Sequence, residues 1–520
     1  VVSEERERIS MVDSTTAAGS PIAAEAGSTI AARGGNGVDA AITAAIVSMC
    51  TDLGVVSPGG GAFVTLWPPD GDPVVVDGFV TMPGLDPRAP APEDAMREVV
   101  FDYHGPTRQK IGWGSIATPG AFAALALASA RYGALPWATL LEPAIQLTRT
   151  GFPLTGGAAE YLSYTHAAIF GWHPPSHRLL HHEDGSPLVA GETVRLPALA
   201  DTLELMARDP ASLYRGSLAE RLASGIGAQG GTLGLADLQA YEAVERTPLH
   251  TRIGAWDVAS NPPPAVGGAC LAAMLLLLDR RTCAPDDLAA TVQHMVSTQH
   301  AVLGYRQARL DGMTTELPAA VEHMLSLAAT GDPTRLTAPS TSHVSAVDET
   351  GLACAITMSS GYGSGALVEG TGIWLNNALG EVDMLTRGLA STQPGMRLAS
   401  NMAPTVARRD DGAMLAIGSP GASRITTALA QVLANFTLNG MDLYAAVHHP
   451  RLHVEPAPHQ RSIAYEPSLP VHEMEGLVPR PFTHRSMYFG GVQAVALMPG
   501  RGLTGVADDR RGGSVASSAT

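Results

Sequence analysis

Two hydrophobic rhythms run along the chain and divide it near residue 340. Before that point apolar positions recur at helical spacing. The segment Gly34–Cys50, GGNGVDAAITAAIVSMC, opens on turn residues and continues with small and apolar ones, which predicts a buried helix. Pro119–Gly133 has Pro at its start and Gly at its end, the usual polarity of helix signals. The same pattern frames Leu196–Asp209, Ser217–Gly231 and Gly267–Arg281 and predicts further helices. From Thr341 the period falls to two. Thr341–Asp348 alternates, Asp348–Gly351 reads as a turn, and Leu352–Met358 resumes as a strand, so a hairpin is expected. It runs into Ser359–Gly365, SSGYGSG, whose small residues let backbones approach closely. Ahead of Thr341 stands Gly331–Ser340, polar and rich in breakers, the composition of an exposed and cleavable loop. Strands and helices in both parts predict stacked sheets covered by helices, an αββα sandwich.

Composition then mainly excludes. A chain of 520 residues exceeds what one ordinary core organises, so one large layered domain or two intimately packed halves is expected. Lys110 is the only lysine among many arginines, which reads as codon bias rather than chemistry. The formal charge is −16 and there is no basic run, so nucleic acid is not an expected partner. Only a local pocket could draw in an anionic substrate against that field. Cys50, Cys270, Cys283 and Cys354 form no CxxC pair and read as buried free thiols. The longest apolar stretch, near Ile42 to Val56, is interrupted by Asp52 and is too short for a bilayer. The first residues are charged where a secretory segment would be apolar. A cytoplasmic protein without a membrane partner is therefore expected.

A hydroxyl is a poor nucleophile unless a base takes its proton. A threonine at a free chain terminus carries its own base, an α-amine with a reference pKa of about 7.7–8.0. That amine exists only after the preceding bond is cut, so the pattern to seek is a threonine opening a strand behind a flexible loop. Thr341 fits it, as would many threonines at strand starts.

The surrounding residues narrow the choice. Pro339–Thr357, PSTSHVSAVDETGLACAIT, is similar to the small-subunit N-terminus of gamma-glutamyltransferases, with Thr341 at the nucleophile, Ser342 at a second threonine, and His343, Ser345, Val347 and Asp348 in register. GGNGVDAAITAA, ATPGAFAAL, NPPPAVGGA, TGIWLNN, NMAPT, GSPGASRITT and ADDRRGG resemble family phrases in the same order, over nearly the whole chain. The resemblance implies a four-layer αββα sandwich of the N-terminal-nucleophile hydrolase type. Residues 1–340 would form a large subunit and 341–520 a small one, separated by self-cleavage between Ser340 and Thr341 and held together as a heterodimer. Higher assembly stays open, and no metal or organic cofactor is implied. Thr341 would be nucleophile and, through its amine, base; Ser359 would hydrogen-bond it. The N–H groups of Gly421 and Ala422 would form the oxyanion hole. Ser400 and Asn401 match a serine pair that holds the substrate carboxylate. Asn376 and Asn377 match an asparagine pair, although either could simply satisfy a tight turn.

The departures concern specificity. Phe79 stands where the family places the arginine that clamps the glutamyl α-carboxylate, and Ala378 replaces an amide that contacts substrate. Glu381 stands near the acid that pairs with the α-amine, and the family's asparagine has no clear equivalent around Ser360 and Gly361. A buried carboxylate without its arginine costs on the order of several kcal/mol, so glutamyl compounds are expected to bind poorly. The chain looks most like homologues from alkylproline natural-product biosynthesis, which implies hydrolysis of a carbon–carbon bond beside an oxalyl-type carbonyl of a small molecule. An amidase, transferase or acylase is the second reading, and a non-catalytic scaffold the third. The remaining features read as structural. His181–Asp184 and His448-His449 lack metal-ligand spacing, Gly59–Gly61 reads as a glycine turn near the active site, and Arg510-Arg511 as a surface pair.

Overall fold

A computed structural model describes residues 13–103, 105–281, 287–311, 316–330, 342–381, 388–421, 424–455, 461–471 and 476–518. The strands of its two large sheets are β1 (Ser14–Ala18), β2 (Gly61–Trp67), β3 (Val74–Gly78), β4 (Val244–Arg246), β5 (Leu249–Ile253), β6 (Trp256–Ser260), β7 (Ser342–Asp348), β8 (Ala353–Ser359), β9 (Thr405–Arg409), β10 (Met414–Gly418), β11 (Gln493–Met498), β12 (Gly502–Ala507) and β13 (Ser514–Ser517). One sheet has the order β13-β1-β7-β8-β2-β3-β4, the other β12-β11-β10-β9-β6-β5, and every pairing in both is antiparallel. Each sheet draws strands from before and after position 340. The two chain segments therefore interleave instead of folding side by side.

Side chains alternate across a strand, and here the alternation sorts them into distinct cores. Val347, Ala353 and Ala355 of the first sheet share a cluster with Val406, Met414, Ala416 and Val495 of the second. The residues between them point the other way. Val344, Ala346, Cys354 and Ile356 pack with α1 (Pro21–Ala32), α2 (Gly37–Thr51) and α3 (Ala121–Tyr132). Leu415, Ile417 and Ala494 pack with α4 (Gly267–Asp279), α5 (Leu288–Arg309), α6 (Leu317–Thr330) and α7 (Arg424–Thr437). Alanines dominate the layer between the sheets, which brings the β7–β8 hairpin close to β10.

Two family-like phrases turn out to be structural anchors. In GGNGVDAA, the Asn36 side chain caps α2 by accepting from the N–H of Val38 and Asp39, both at 3.0 Å, and Asp39 accepts from the N–H of Asn36 at 3.0 Å. Asp39 also accepts from Ala134 (2.8 Å), tying α2 to the end of α3. In the hairpin, Asp348 is buried and accepts from the N–H of Thr350 (3.0 Å) and Leu352 (3.2 Å), closing the turn. Its other oxygen takes the N–H of Gly37 at 2.9 Å, so one carboxylate fixes the hairpin against the start of α2.

The helices expected at Gly34–Cys50, Pro119–Gly133, Leu196–Asp209, Ser217–Gly231 and Gly267–Arg281 are present as Gly37–Thr51, Ala121–Tyr132, Pro197–Arg208, Ser217–Gly227 and Gly267–Asp279. Cys50, Cys270 and Cys354 are buried and unbridged, while Cys283 and the loop Gly331–Ser340 lie outside the described residues. No described helix is long and apolar enough to cross a membrane. One expectation fails. Arg510 is buried, not on the surface, and pairs with Glu466 at 2.5 Å and Asp508 at 3.1 Å. Glu466 is 44 residues away in sequence, so the local charge pattern could not reveal it.

Candidate active site

The first described residue of the small segment, Ser342, heads β7, and the elements around it can be followed residue by residue. Thr341, Ser340 and Ala422 lie outside the described residues. β7 pairs with β8 from Ser342 opposite Met358 to Val347 opposite Ala353, so Ser359, the last residue of β8, stands one position past the Ser342–Met358 pair. Ser359 is buried and its hydroxyl accepts from the N–H of Gly361 at 3.0 Å. Gly361 has φ +63°, and a Cβ there would lie 2.2 Å from the Asn377 amide oxygen. Glycine is therefore required at this turn. Gly59, Gly60 and Gly61 pack on the same hairpin end; a Cβ on Gly60 would meet the Ser359 carbonyl at 2.5 Å. The chain turns into β2 over Ser57–Gly60, with the N–H of Gly60 donating to the Ser57 carbonyl at 3.1 Å.

The asparagine pair serves the backbone. Asn376 accepts from the N–H of Ala117 (3.0 Å) and Ala378 (3.1 Å) and donates to the carbonyls of Gly59 (2.8 Å) and Ala117 (2.9 Å). Asn377 accepts from the N–H of Tyr362 (2.7 Å) and donates to the carbonyl of Lys110 (3.2 Å). Both side chains position the loop that carries Ser359 and Glu381. Glu381 itself is buried against that loop, its carboxyl carbon 3.2 Å from where a Cβ on Gly361 would stand.

On the second sheet, β10 ends at Gly418 and the chain enters Ser419-Pro420-Gly421. Gly418 has no room for a side chain because the His343 ring would lie 2.2 Å from its Cβ. Gly421 has φ +126°, and a Cβ there would stand 2.8 Å from the Gly490 Cα. The loop is thus locked between β7 and the Gly490–Gly491 turn, with the N–H of Gly491 donating to Ser419 Oγ at 3.2 Å. His343 is not a free base. Its Nδ1 lies 2.8 Å from Thr357 Oγ1 and its Nε2 lies 2.8 Å from Ser345 Oγ. Ser345 gives its proton to the Gln493 carbonyl at 3.1 Å, so Nε2 carries the ring hydrogen and Nδ1 accepts from Thr357. Burial pushes its pKa down to about 3 and keeps the ring neutral.

A third wall is apolar. Phe79 stacks on Phe63 with ring centroids 5.6 Å apart and 16° between planes, in a cluster with Ala378, Leu398 and Met402. The nearby cations are already engaged: Arg246 and Arg397 reach the buried Asp77 at 2.7 and 3.3 Å. Ser400 accepts from the N–H of Met402 at 3.2 Å, and Asn401 is buried beside it. The structure thus gathers Ser359, Asn377 and Glu381 at one hairpin end, Phe79 and Ala378 in one apolar cluster, and Gly421 at the head of the facing sheet. No group of three metal-ligating side chains occurs among the described residues.

Sequence reasoning missed a cavity at the head of β7, where Asp52, Ser342, Gln493 and Arg511 meet the apolar Val55 and Met487. Asp52 had drawn notice only as a break in an apolar stretch. It is buried, and burial pushes its carboxyl up to about 7, against the opposing pull of the Ser48, Thr155 and Ser20 hydroxyls.

Comparisons with known proteins agree with this architecture. The family model described as gamma-glutamyltranspeptidase matches residues 23–518. The chain is 28% identical to the glutathione hydrolase proenzyme of Escherichia coli, covering 83% of this chain and 79% of that protein. It is also 28% identical to the acylase ACY 1 proenzyme of Pseudomonas sp. strain V22, covering 95% and 91%. The crystal structure of cephalosporin acylase from Bacillus halodurans superposes with a TM-score of 0.75 at 23% identity, over 97% of this chain and 96% of that one. A structure of LmbA superposes with a TM-score of 0.75 at 20% identity, over 97% and 98%. With a match spanning nearly its whole length, the chain belongs to the gamma-glutamyltranspeptidase family.

Proposed function

We propose that the chain cuts itself between Ser340 and Thr341 and then uses Thr341 as an N-terminal nucleophile for acyl transfer. The fold is read as the four-layer αββα sandwich of the N-terminal-nucleophile hydrolases, with residues 1–340 and 341–520 remaining together as a heterodimer. The observation that carries this reading is the meeting of the β7 head with the glycine-locked loop ending at Gly421. Continuing the β7–β8 register by one residue would set Thr341 against Ser359, in line with the hydroxyl partner a terminal threonine needs. The N–H groups of Gly421 and Ala422 are the proposed donors to the developing oxyanion, where such a donor is worth about 3–4 kcal/mol of barrier. The neutral, fully engaged His343 leaves the α-amine of Thr341 as the base.

For the substrate, the same reading takes a carbon–carbon bond beside an oxalyl-type carbonyl, as in an alkylproline precursor. Phe79 and Ala378 support it, since an apolar wall stands where a glutamyl α-carboxylate would need a cation. Thr341 Oγ adds to the ketone carbon and its proton goes to the amine. The C–C bond then breaks, with its electron pair leaving on the stabilised carbon, which takes that proton. Water hydrolyses the oxalyl ester and frees oxalate. Ser400, Asn401 and Glu381 border the site as substrate-contacting candidates. Hydrolysis of an acyl-amide is the second reading, favoured by the likeness to the Pseudomonas acylase over 95% of this chain. Parallel assays separate the two: oxalate release from a diketo-acid proline precursor against anilide release from a glutamyl or longer acyl anilide. Fast anilide turnover without oxalate would overturn the first reading.

A further inference from the structure

The cavity at the β7 head is not used by the chemistry above, although Ser342 and Pro420, which help line it, are chain neighbours of Thr341 and Gly421. Arg511 forms its far wall. Among the described residues the half-buried guanidinium donates to neutral oxygens alone, the Met487 carbonyl and the Tyr103 hydroxyl, both at 3.2 Å. It has no carboxylate within ion-pair distance among the described residues. The neighbouring arginines differ: Arg510 holds Glu466 and Asp508, and Arg451 holds Asp508 at 2.6 Å. Two further polar groups stand in a lining that is otherwise mostly apolar, with Val55, Ala158 and Met487 among its walls. Gln493 is fully buried with its Oε1 unpartnered among the described residues, and Asp52 is a buried carboxyl whose neutral form burial favours. A carboxylate cannot satisfy Gln493 Oε1, itself an acceptor, so the favourable contacts open to an anion are the Arg511 guanidinium and the hydroxyl of a neutral Asp52.

We propose that this cavity is a carboxylate subsite in which Arg511 holds the acid group next to the carbonyl that Thr341 attacks. The proposal rests on the reading of Thr341 as nucleophile and adds the cation which that reading otherwise lacks, since Phe79 removes the usual one. Size agrees. The space open to the centre of a water-sized sphere is ≈ 40 Å³. One water needs roughly 10–15 Å³ on that measure, so the cavity has room for a carboxylate group. A local cation also explains how a chain of net charge −16 can capture an anion. A planar guanidinium matches a carboxylate fork, whereas lysine offers a point charge.

The test is calorimetric titration of oxalate, with acetamide as the neutral control, into the protein after checking for the two pieces on a denaturing gel. Oxalate should bind and acetamide should not. Arg511→Gln should weaken oxalate by about tenfold or more, and Arg511→Lys should recover part of the loss. Because Arg511 also braces Tyr103 and Met487, a second measurement avoids substitution: phenylglyoxal labelling of wild type, mapped by peptide mass, should spare Arg511 when oxalate is present. Equal oxalate affinity in wild type and a folded Arg511→Gln variant, or labelling unaffected by oxalate, overturns the subsite. If the protein is cleaved and active yet binds no oxalate, this proposal fails while the nucleophile reading stands; an uncut active chain removes both.

Discussion

Replacing Asp348 with alanine separates scaffold from chemistry in the family-like hairpin. The carboxylate is buried and accepts from the N–H groups of Gly37, Thr350 and Leu352 and from the Thr350 hydroxyl at 2.6 Å. Removing it strands backbone donors that have no route to water. Each buried unsatisfied group costs about 1–3 kcal/mol, and part of the loss relaxes through Thr350 at the turn, so the total is about 3–5 kcal/mol. Unfolding entropy near 2.1 cal/mol/K per residue gives on the order of 1 kcal/mol per degree for 520 residues melting as one unit. Asp348→Ala should therefore melt about 3–5 °C lower, as measured by scanning calorimetry at a fixed rate. Asp348→Asn keeps one oxygen for the turn but turns an N–H donor toward the N–H of Gly37, so it should lose about half as much. Turnover per folded molecule should change little in either variant. If Asp348→Ala melts with wild type yet loses activity, the carboxylate belongs to the reaction and the anchoring argument is wrong.

Gly421→Ala forces a side chain onto a backbone at φ +126°, 2.8 Å from Gly490. The backbone strain of about 1–3 kcal/mol should lower the melting temperature by about 1–3 °C, while the oxyanion N–H shifts and kcat falls by about 10²–10³ with KM nearly unchanged; steady-state kinetics would contradict this if KM carried the loss. The two buried titratable groups beside the site act in opposite senses. His343 has its pKa lowered to about 3, so its contribution to stability is present above the ordinary histidine value of 6.5 and fades as pH falls toward 3. Asp52 is raised to about 7 from 3.8, so its contribution is complete below 3.8 and lost as pH rises through 7. Asp52→Asn should match or exceed wild-type stability above pH 7, the difference closing toward pH 4, as followed by melting curves across pH. Phe79→Arg places a cation in the apolar cluster near Asp77; a folded variant should hydrolyse a glutamyl anilide faster than wild type, and unchanged rates would show that the ring is not what excludes glutamyl groups.

Local grammar carried much of the fold. The turn residues and small apolar run that form α2 and the period-two hairpin of β7 and β8 are properties of contiguous residues, and both were readable. The sheet order was not, because β1 and β13, which flank β7's side of the sheet, come from opposite ends of the chain. The candidate site shows the same division. Phe79, Ala378 and Gly421 could be placed by phrase order, and the asparagine pair left two meanings open until their amides were found serving the backbone. Arg510 and Arg511 form one local charge pair with two fates, a buried ion pair and a cavity wall, decided by Glu466 and Ser342 far along the chain. Asp52 was visible as a charge within an apolar stretch; burial on all sides, which raises its pKa, is a tertiary property.

If the Thr341 hydroxyl acquires its base when the backbone breaks before it, active protein must consist of two pieces. Intact-protein mass spectrometry of freshly purified, active protein tests this most directly. Self-cleavage before Thr341 should give pieces of 340 and 180 residues, the smaller beginning Thr-Ser-His-Val, and Thr341→Ala should stay a single uncut, inactive chain. Wild type that turns over substrate as one unbroken 53.8 kDa chain would contradict it.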